Sequence, residues 1–344
     1  MKRFITLIFF MLLLPGIIHA QLSFKEKREL KRTYNEGIQL LQKREYVKAI
    51  RAFNQCFSID SSYGKAYLQR GRIRLELEMN TEALEDFNRA IRSDEDLGQA
   101  FFYKGYLLFG EDTTGLSKKL FSKAIEKGFE DGYVYYYRGL CFLLEDKMDK
   151  ALFDFNKAIG FKEDFAMAYH DRAGIKRRMG DLQGALYDYK TAVNYQQFFP
   201  LAYNNMGSVK IKMGDYDGGM EDFNKSIAQD STLFLAYNNR GYAHYQLGNL
   251  DSALYDFNKA IDLAGSFREA QLNKASTLAK KEDYALALDV LNKSLDQFKQ
   301  DGLLFLNRGL VRELQGDVTG ACSDWSKALE AGAEEAAEYL EECK

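Results

Sequence analysis

Proline is almost missing from this chain of 344 residues, where Pro15 and Pro200 are the only two. A proline inside a helix removes a backbone donor and collides with the preceding turn, so its rarity leaves long helices uninterrupted. Histidine is nearly as scarce. Beyond the first twenty residues only His170 and His244 remain, with no cysteine or acid beside either at metal-ligand spacing. There is no G-x-S-x-G elbow, no phosphate-cradling glycine loop and no H-E-x-x-H. We therefore expect no enzyme, no metal and no cofactor. Basic residues are not in excess either: 47 Lys and Arg stand against 50 Asp and Glu, which argues against a nucleic-acid binder. What the chain does have is 46% hydrophobic residues, with 22 tyrosines and 25 phenylalanines, enough to fold around aromatic packing.

The only long apolar run lies at the start. Lys2 and Arg3 precede an apolar stretch from Phe4 to Leu14, which Pro15-Gly16 breaks before the small residue Ala20. This is the pattern of a secretory signal peptide spanning residues 1–20. The run is short for a membrane span, and no cysteine follows Ala20 to carry a lipid. We expect cleavage before Gln21 and an exported protein, periplasmic or secreted, without stable membrane insertion. Losing Lys2 and Arg3 leaves 45 basic and 50 acidic residues, a net charge of −5.

From residue 30 onward one unit is written nine times. Gly37, Gly71, Gly105, Gly139, Ala173, Gly207, Gly241, Ala275 and Gly309 follow one another at a fixed interval of 34. Sixteen residues after each comes a bulky one, from Phe53 and Phe87 through Tyr189, Phe257 and Leu291 to Trp325. Small residues flank the bulky one four before and three after, as Ala253 and Ala260 flank Phe257. Steps of four and three place them on one helical face. Each unit thus reads as two helices, small residues allowing close approach and the ring filling the gap. The blocks begin at 30, 64, 98, 132, 166, 200, 234, 268 and 302 and end at 335, between a leader over 21–29 and a capping segment over 336–344.

The best-preserved unit opens with Ala236-Tyr237-Asn238-Asn239-Arg240-Gly241, turns at Gly248-Asn249 and closes with Asp256-Phe257-Asn258-Lys259-Ala260-Ile261. It resembles the tetratricopeptide repeat. The usual proline near the end of each repeat is absent, and units 1 to 4 lack the inter-helix glycine. The resemblance implies an all-α fold, a right-handed alpha-solenoid of helix-turn-helix repeats. A single such unit cannot bury its own apolar face, so stability must come from stacking.

Two internal correlations bear on structure. Arg70, Arg138, Arg172, Arg240 and Arg308 stand sixteen residues before Asp86, Asp154, Asp188, Asp256 and Asp324, and units without the aspartate lack the arginine. Only the sixth departs, with Met206 before Asp222. We expect a bidentate contact between the helices of each unit. Among the cysteines, Cys56 and Cys141 read as packed thiols. Cys322 and Cys343 flank Gly332 almost equally, so an antiparallel turn would bring them together, as a disulfide or as two reduced thiols.

In the family it resembles, first helices line a concave groove, and residues two, five, six and nine of each block face it. Here those places give Phe102, Tyr103 and Tyr106, then Tyr133, Tyr136 and Tyr137, and further on Asn205, Asn239, Asn273 and Asn307. The rings are expected to be exposed, and the amides to pair with the backbone of an extended peptide. Lys176, Arg177, Arg178, Lys210 and Lys212 form a local basic patch, suited to an acidic segment of a partner or simply solvated. The functional expectation is a scaffold or adaptor that binds a protein or peptide. The alternative is a glycan or cell-wall fragment stacked on the aromatic half.

Overall fold

The computed structural model describes residues 22–112 and 115–343, so the expected signal peptide lies outside the described residues. Among those residues there are nineteen α-helices, a terminal 3-10 turn and no strand. They fall into two compact units divided after Glu130. The first holds three helical hairpins: α1 (Phe24–Gln42) with α2 (Tyr46–Ile59), α3 (Gly64–Glu76) with α4 (Asn80–Ser93), and α5 (Gly98–Leu108) with α6 (Leu116–Glu126). The second opens with α7 (Gly132–Leu144) and α8 (Met148–Phe161), α9 (Ala166–Arg178) and α10 (Leu182–Tyr195), and α11 (Pro200–Lys212) and α12 (Tyr216–Gln229). It continues through α13 (Phe234–Gln246) and α14 (Leu250–Leu263), α15 (Arg268–Lys280) and α16 (Tyr284–Gln297), and α17 (Gly302–Leu314) and α18 (Val318–Glu330). A cap follows, α19 (Ala336–Leu340) and the turn Glu341–Cys343.

The periodic residues are the contact points of each hairpin. Phe53, Phe87, Phe121, Phe155, Tyr189, Phe223, Phe257 and Leu291 are fully buried on the second helices, between small residues that are buried too, alanines and serines with Cys56 and Gly219. The ring sits directly on the glycine of the first helix: a Cβ at Gly241 would come within 2.8 Å of Phe257 Cε1. In the eighth hairpin Ala275 replaces the glycine and Leu291 replaces the ring. The fifth combines Ala173 with a ring, Tyr189.

Eight of the described hairpin turns hold one left-handed residue, whose N–H, with that of the residue after it, returns to the last carbonyls of the first helix, as Gly248 does to Tyr245 and Asn249 to His244. Gly180, Gly214, Gly248 and Gly316 supply it without steric cost. Arg44, Glu78, Asp146 and Glu282 adopt the same conformation with φ between 57° and 64°. A side chain there costs about 1–2 kcal/mol. The hairpin packing carries that cost, so the turn survives the missing glycine.

All five arginine–aspartate pairs form, each bidentate. Arg240 Nε and Nη2 reach Asp256 at 2.8 and 2.7 Å, and Arg308 reaches Asp324 at 2.7 and 2.6 Å. The aspartates are buried, so the pairing neutralises a charge that could not otherwise remain there. Asp256 in turn raises the Arg240 guanidinium further through the hydrogen bond. In four of the pairs the remaining guanidinium nitrogen donates to an asparagine of the preceding hairpin, Arg70 to Asn54, Arg172 to Asn156, Arg240 to Asn224 and Arg308 to Asn292. One side chain thereby ties three helices. In the sixth hairpin, which has Met206, Lys210 four residues later stands 2.7 Å from Asp222 Oδ2. Burial still raises the Asp222 carboxyl, because one flexible ammonium compensates less than a bidentate fork.

At the C-terminus Cys322 and Cys343 are joined by a disulfide with their Cα atoms 5.9 Å apart. It holds the cap on α18, where Tyr339 stacks on Trp325 with ring centroids 5.2 Å apart. Cys56 is buried, and burial pushes its thiol up to about 11, which makes it inert. Cys141 is buried within α7.

Candidate functional site

Helix α5 brings three of the expected groove rings together, with two different fates. Phe102 is 7% exposed and packs against Phe121 and Phe129 at centroid distances of 6.0 and 5.4 Å. The expectation that it is an exposed groove ring is corrected: it belongs to the hairpin core. Tyr103 is half-buried, stacked 5.7 Å from Phe87. Tyr106 is 41% exposed. Tyr103 and Tyr106 line a cleft of about 330 Å³ with Leu41, Arg72, Leu75 and Glu76. Every lining residue comes from a first helix, α1, α3 or α5. The Arg72 guanidinium lies 5.2 Å over the Tyr103 ring, and its Nη1 donates to Gln69 Oε1 at 2.8 Å. The cleft thus offers an aromatic wall, two leucines and one charge of each sign.

In the second unit the rings behave differently again. Tyr136 is 6% exposed and packs on Phe155 and Phe165, so it too is corrected from groove to core. Tyr137 is half-buried beside it, with centroids 5.3 Å apart. Tyr133 is 38% exposed, but Lys162 lies over its ring and donates to its hydroxyl at 2.8 Å. The reason is the register of the hairpins. The fifth residue of each of these blocks turns into its own hairpin, against the ring of the second helix and the ring that follows that helix, Phe121 and Phe129 for Phe102, Phe155 and Phe165 for Tyr136.

The asparagines pair chiefly with one another. Asn205 Nδ2 lies 3.0 Å from His170 Nε2, Asn239 Nδ2 donates to Asn204 Oδ1 at 2.9 Å, and Asn273 Nδ2 to Asn238 Oδ1 at 2.9 Å. Weaker contacts join neighbours in the chain, Asn204 to Asn205 at 3.3 Å and Asn238 to Asn239 at 3.4 Å. Upstream, His170 Nδ1 faces Asp171 Oδ1 at 2.9 Å, and the Tyr136 hydroxyl donates to Asp171 Oδ2 at 2.8 Å. Burial first, then the Asp171 charge, raises the Tyr136 phenol well above its ordinary range, so it remains a donor. The result is a polar relay from Tyr136 to Asn273 that crosses α7, α9, α11, α13 and α15. Each inter-helix step spans 35 residues and joins the fifth residue of one block to the sixth of the next.

The expectation that Asn205, Asn239 and Asn273 offer their amides to a guest is therefore corrected: these groups hold consecutive first helices together. Asn307 stands apart, donating to the Leu303 carbonyl of its own helix. Asn204 is 3% exposed, so Asn204→Ala should destabilise α11 and α13 by about 1 kcal/mol, the Asn239 amide keeping only its longer bond to Ser208 Oγ at 3.3 Å. Thermal unfolding followed by circular dichroism checks this, and an unchanged midpoint would contradict the relay.

The basic patch is also largely spent. Lys176 lies 2.8 Å from Asp188 and Lys210 2.7 Å from Asp222, while Arg178 pairs with Asp146 at 2.7 Å. Sequence reasoning missed Arg72, Leu41, Leu75 and Glu76 as surface residues, since no periodicity distinguishes them. It also missed Asn204, Asn238 and Asp171 as partners, although the doublets Asn204-Asn205 and Asn238-Asn239 carried that signal. Among the described residues no helix is long and apolar enough to cross a membrane.

An all-α protein of repeated helical hairpins is defined by this architecture. Tetratricopeptide repeat models match residues 234–267, 64–97 and 201–232, so the chain contains tetratricopeptide repeats. Solved structures agree in fold. The hetero-tetramer Cut9–Hcn1 of the APC/C is similar at a TM-score of 0.57 and 15% identity, over 94% of this chain and 77% of that one. The C-terminal part of a TPR repeat-containing protein from Cytophaga hutchinsonii gives 0.53 at 18% identity, over 70% of this chain and 99% of that one. A tetratricopeptide repeat protein from Parabacteroides merdae gives 0.50 at 18% identity, over 81% and 97%. A comparison with curated proteins yields no significant match.

Proposed function

We propose that this chain is an exported, non-enzymatic scaffold that binds a protein or peptide on the faces of its first helices, in assembly work at the cell envelope. The observation that carries this reading is the cleft of Leu41, Arg72, Leu75, Glu76, Tyr103 and Tyr106. Tyrosine and arginine beside aliphatic side chains are the residue types in which binding energy concentrates at protein interfaces, and a charge of each sign orients a guest. Repeats of this fold serve in general as interaction scaffolds. Export rests on the pattern of residues 1–20.

Crosslinking capture from the envelope fraction tests it. The captured chain is expected to begin at Gln21, and Tyr106→Ala or Arg72→Ala should each weaken partner binding about tenfold while leaving helix content unchanged. A partner held equally well by both variants would remove the cleft from the proposal. Glycan binding at Tyr106 with no protein recovered would favour the sugar-binding alternative.

A further inference from the structure

Charge is distributed very unevenly between the two terminal elements. Helix α1 carries five basic side chains against three acidic ones, a net of +2, and Lys43, Arg44, Lys48 and Arg51 against Glu45 bring residues 22–53 to +5. The five basic residues of α1, Lys25, Lys27, Arg28, Lys31 and Arg32, stand exposed. Arg28, Lys31 and Arg32 line a shallow groove of about 410 Å³ along that helix, and its single ion pair of this set, Arg32 with Glu29, is long at 3.9 Å. Phe24, 84% exposed, adds an apolar knob at the start of α1.

The other terminus is the reverse. Glu330, Glu334, Glu335, Glu338, Glu341 and Glu342 are all exposed, with no basic residue among positions 330–343, a net of −6. None of the six forms an ion pair with another described residue. The disulfide between Cys322 and Cys343 fixes the segment that carries most of them, so this negative surface is held in place before any partner arrives.

We propose that the acidic cap of one copy docks on α1 of a second copy, giving salt-dependent head-to-tail association. Two surfaces of opposite sign sit on one chain, on the first and the last of its described elements. A contact between unlike surfaces is heterologous, so copies add head to tail, in an open series or, where the rotation closes, in a ring. The apolar end of the last hairpin is already covered by the cap, so the attraction is electrostatic and screened by salt.

Sedimentation of the full-length protein, purified from the cells that produce it, tests the proposal. At about 10 mM salt, where the Debye length is about 30 Å, the average mass should rise with protein concentration; at about 1 M salt, with a length of about 3 Å, the protein should be monomeric. Reversing the cap (E334K, E335K and E338K together) or α1 (K27E, R28E and K31E together) should leave each variant monomeric at low salt. Mixing the two variants should restore association, because the mixture again contains one native surface of each kind. Monomers of native sequence at low salt throughout, association that survives either reversal, or a mixture that stays monomeric would each overturn it.

Discussion

Replacing Arg240 by alanine is expected to lower the local stability of the seventh hairpin by about 3–5 kcal/mol, the cost of leaving a buried carboxylate without its partner. Asp256 is 1% exposed and depends on this one guanidinium. The next side chain that could assist is His244, at the place where other hairpins carry a second cation. Burial lowers its pKa, so it stays neutral near pH 7 and supplies no charge. In the fifth and ninth hairpins Lys176 and Arg312 each lie 2.8 Å from the corresponding aspartate. Arg172→Ala and Arg308→Ala should therefore cost clearly less than Arg240→Ala. Amide exchange in α13 and α14, compared with α9 and α10, reads the difference; equal costs would show that the second cation contributes nothing. Asp256→Ala added to Arg240→Ala should return part of the loss, since the stranded charge is then gone.

Opening the terminal disulfide should release the cap and leave the hairpins before it folded. The bond closes a loop with a sequence separation of 21, and constraining a loop of that size stabilises by about 3 kcal/mol. The chain's single tryptophan, Trp325, reports the event directly, because Tyr339 of the cap stacks on it. Reduction, or Cys343→Ser, should shift its emission to longer wavelength and make the segment after Gly332 sensitive to protease, with little change in total helix signal. Emission unchanged by reduction would mean that packing of Tyr339, Leu340 and Ala336 holds the cap unaided.

Helical hairpins in a 34-residue register were legible because the packing unit repeats. Nine coincident small residues and nine bulky ones report a local contact, and the structure seats Phe257 on Gly241 as that spacing requires. The arginine–aspartate pairs were legible for a related reason: within one chain the two residues appear and disappear together. Cys322 and Cys343 could be placed near one another but not joined, since spacing does not decide redox state.

The candidate surface was much less legible. Phe102, Tyr136, Asn205, Asn239 and Asn273 occupy the places where a groove residue is expected, and each has side-chain contacts that take it wholly or partly away from a guest. A sequence position states which helix face a residue occupies; it does not state whether a neighbouring hairpin covers that face. The amides look available within one hairpin and are taken up only when that hairpin stacks on the preceding one, whose partner residue lies 35 positions earlier.

The amino-acid sequence by itself determined the hairpin, its period and its internal ion pairs, because those depend on contacts between residues sixteen apart in the chain. Only the tertiary structure decided which polar groups remain for a partner, because that depends on what each hairpin places against its neighbour. Lys176 and Lys210 show the division plainly: both are ordinary surface cations as letters, and both end against buried aspartates, since the low dielectric of the stack leaves no carboxylate there uncompensated.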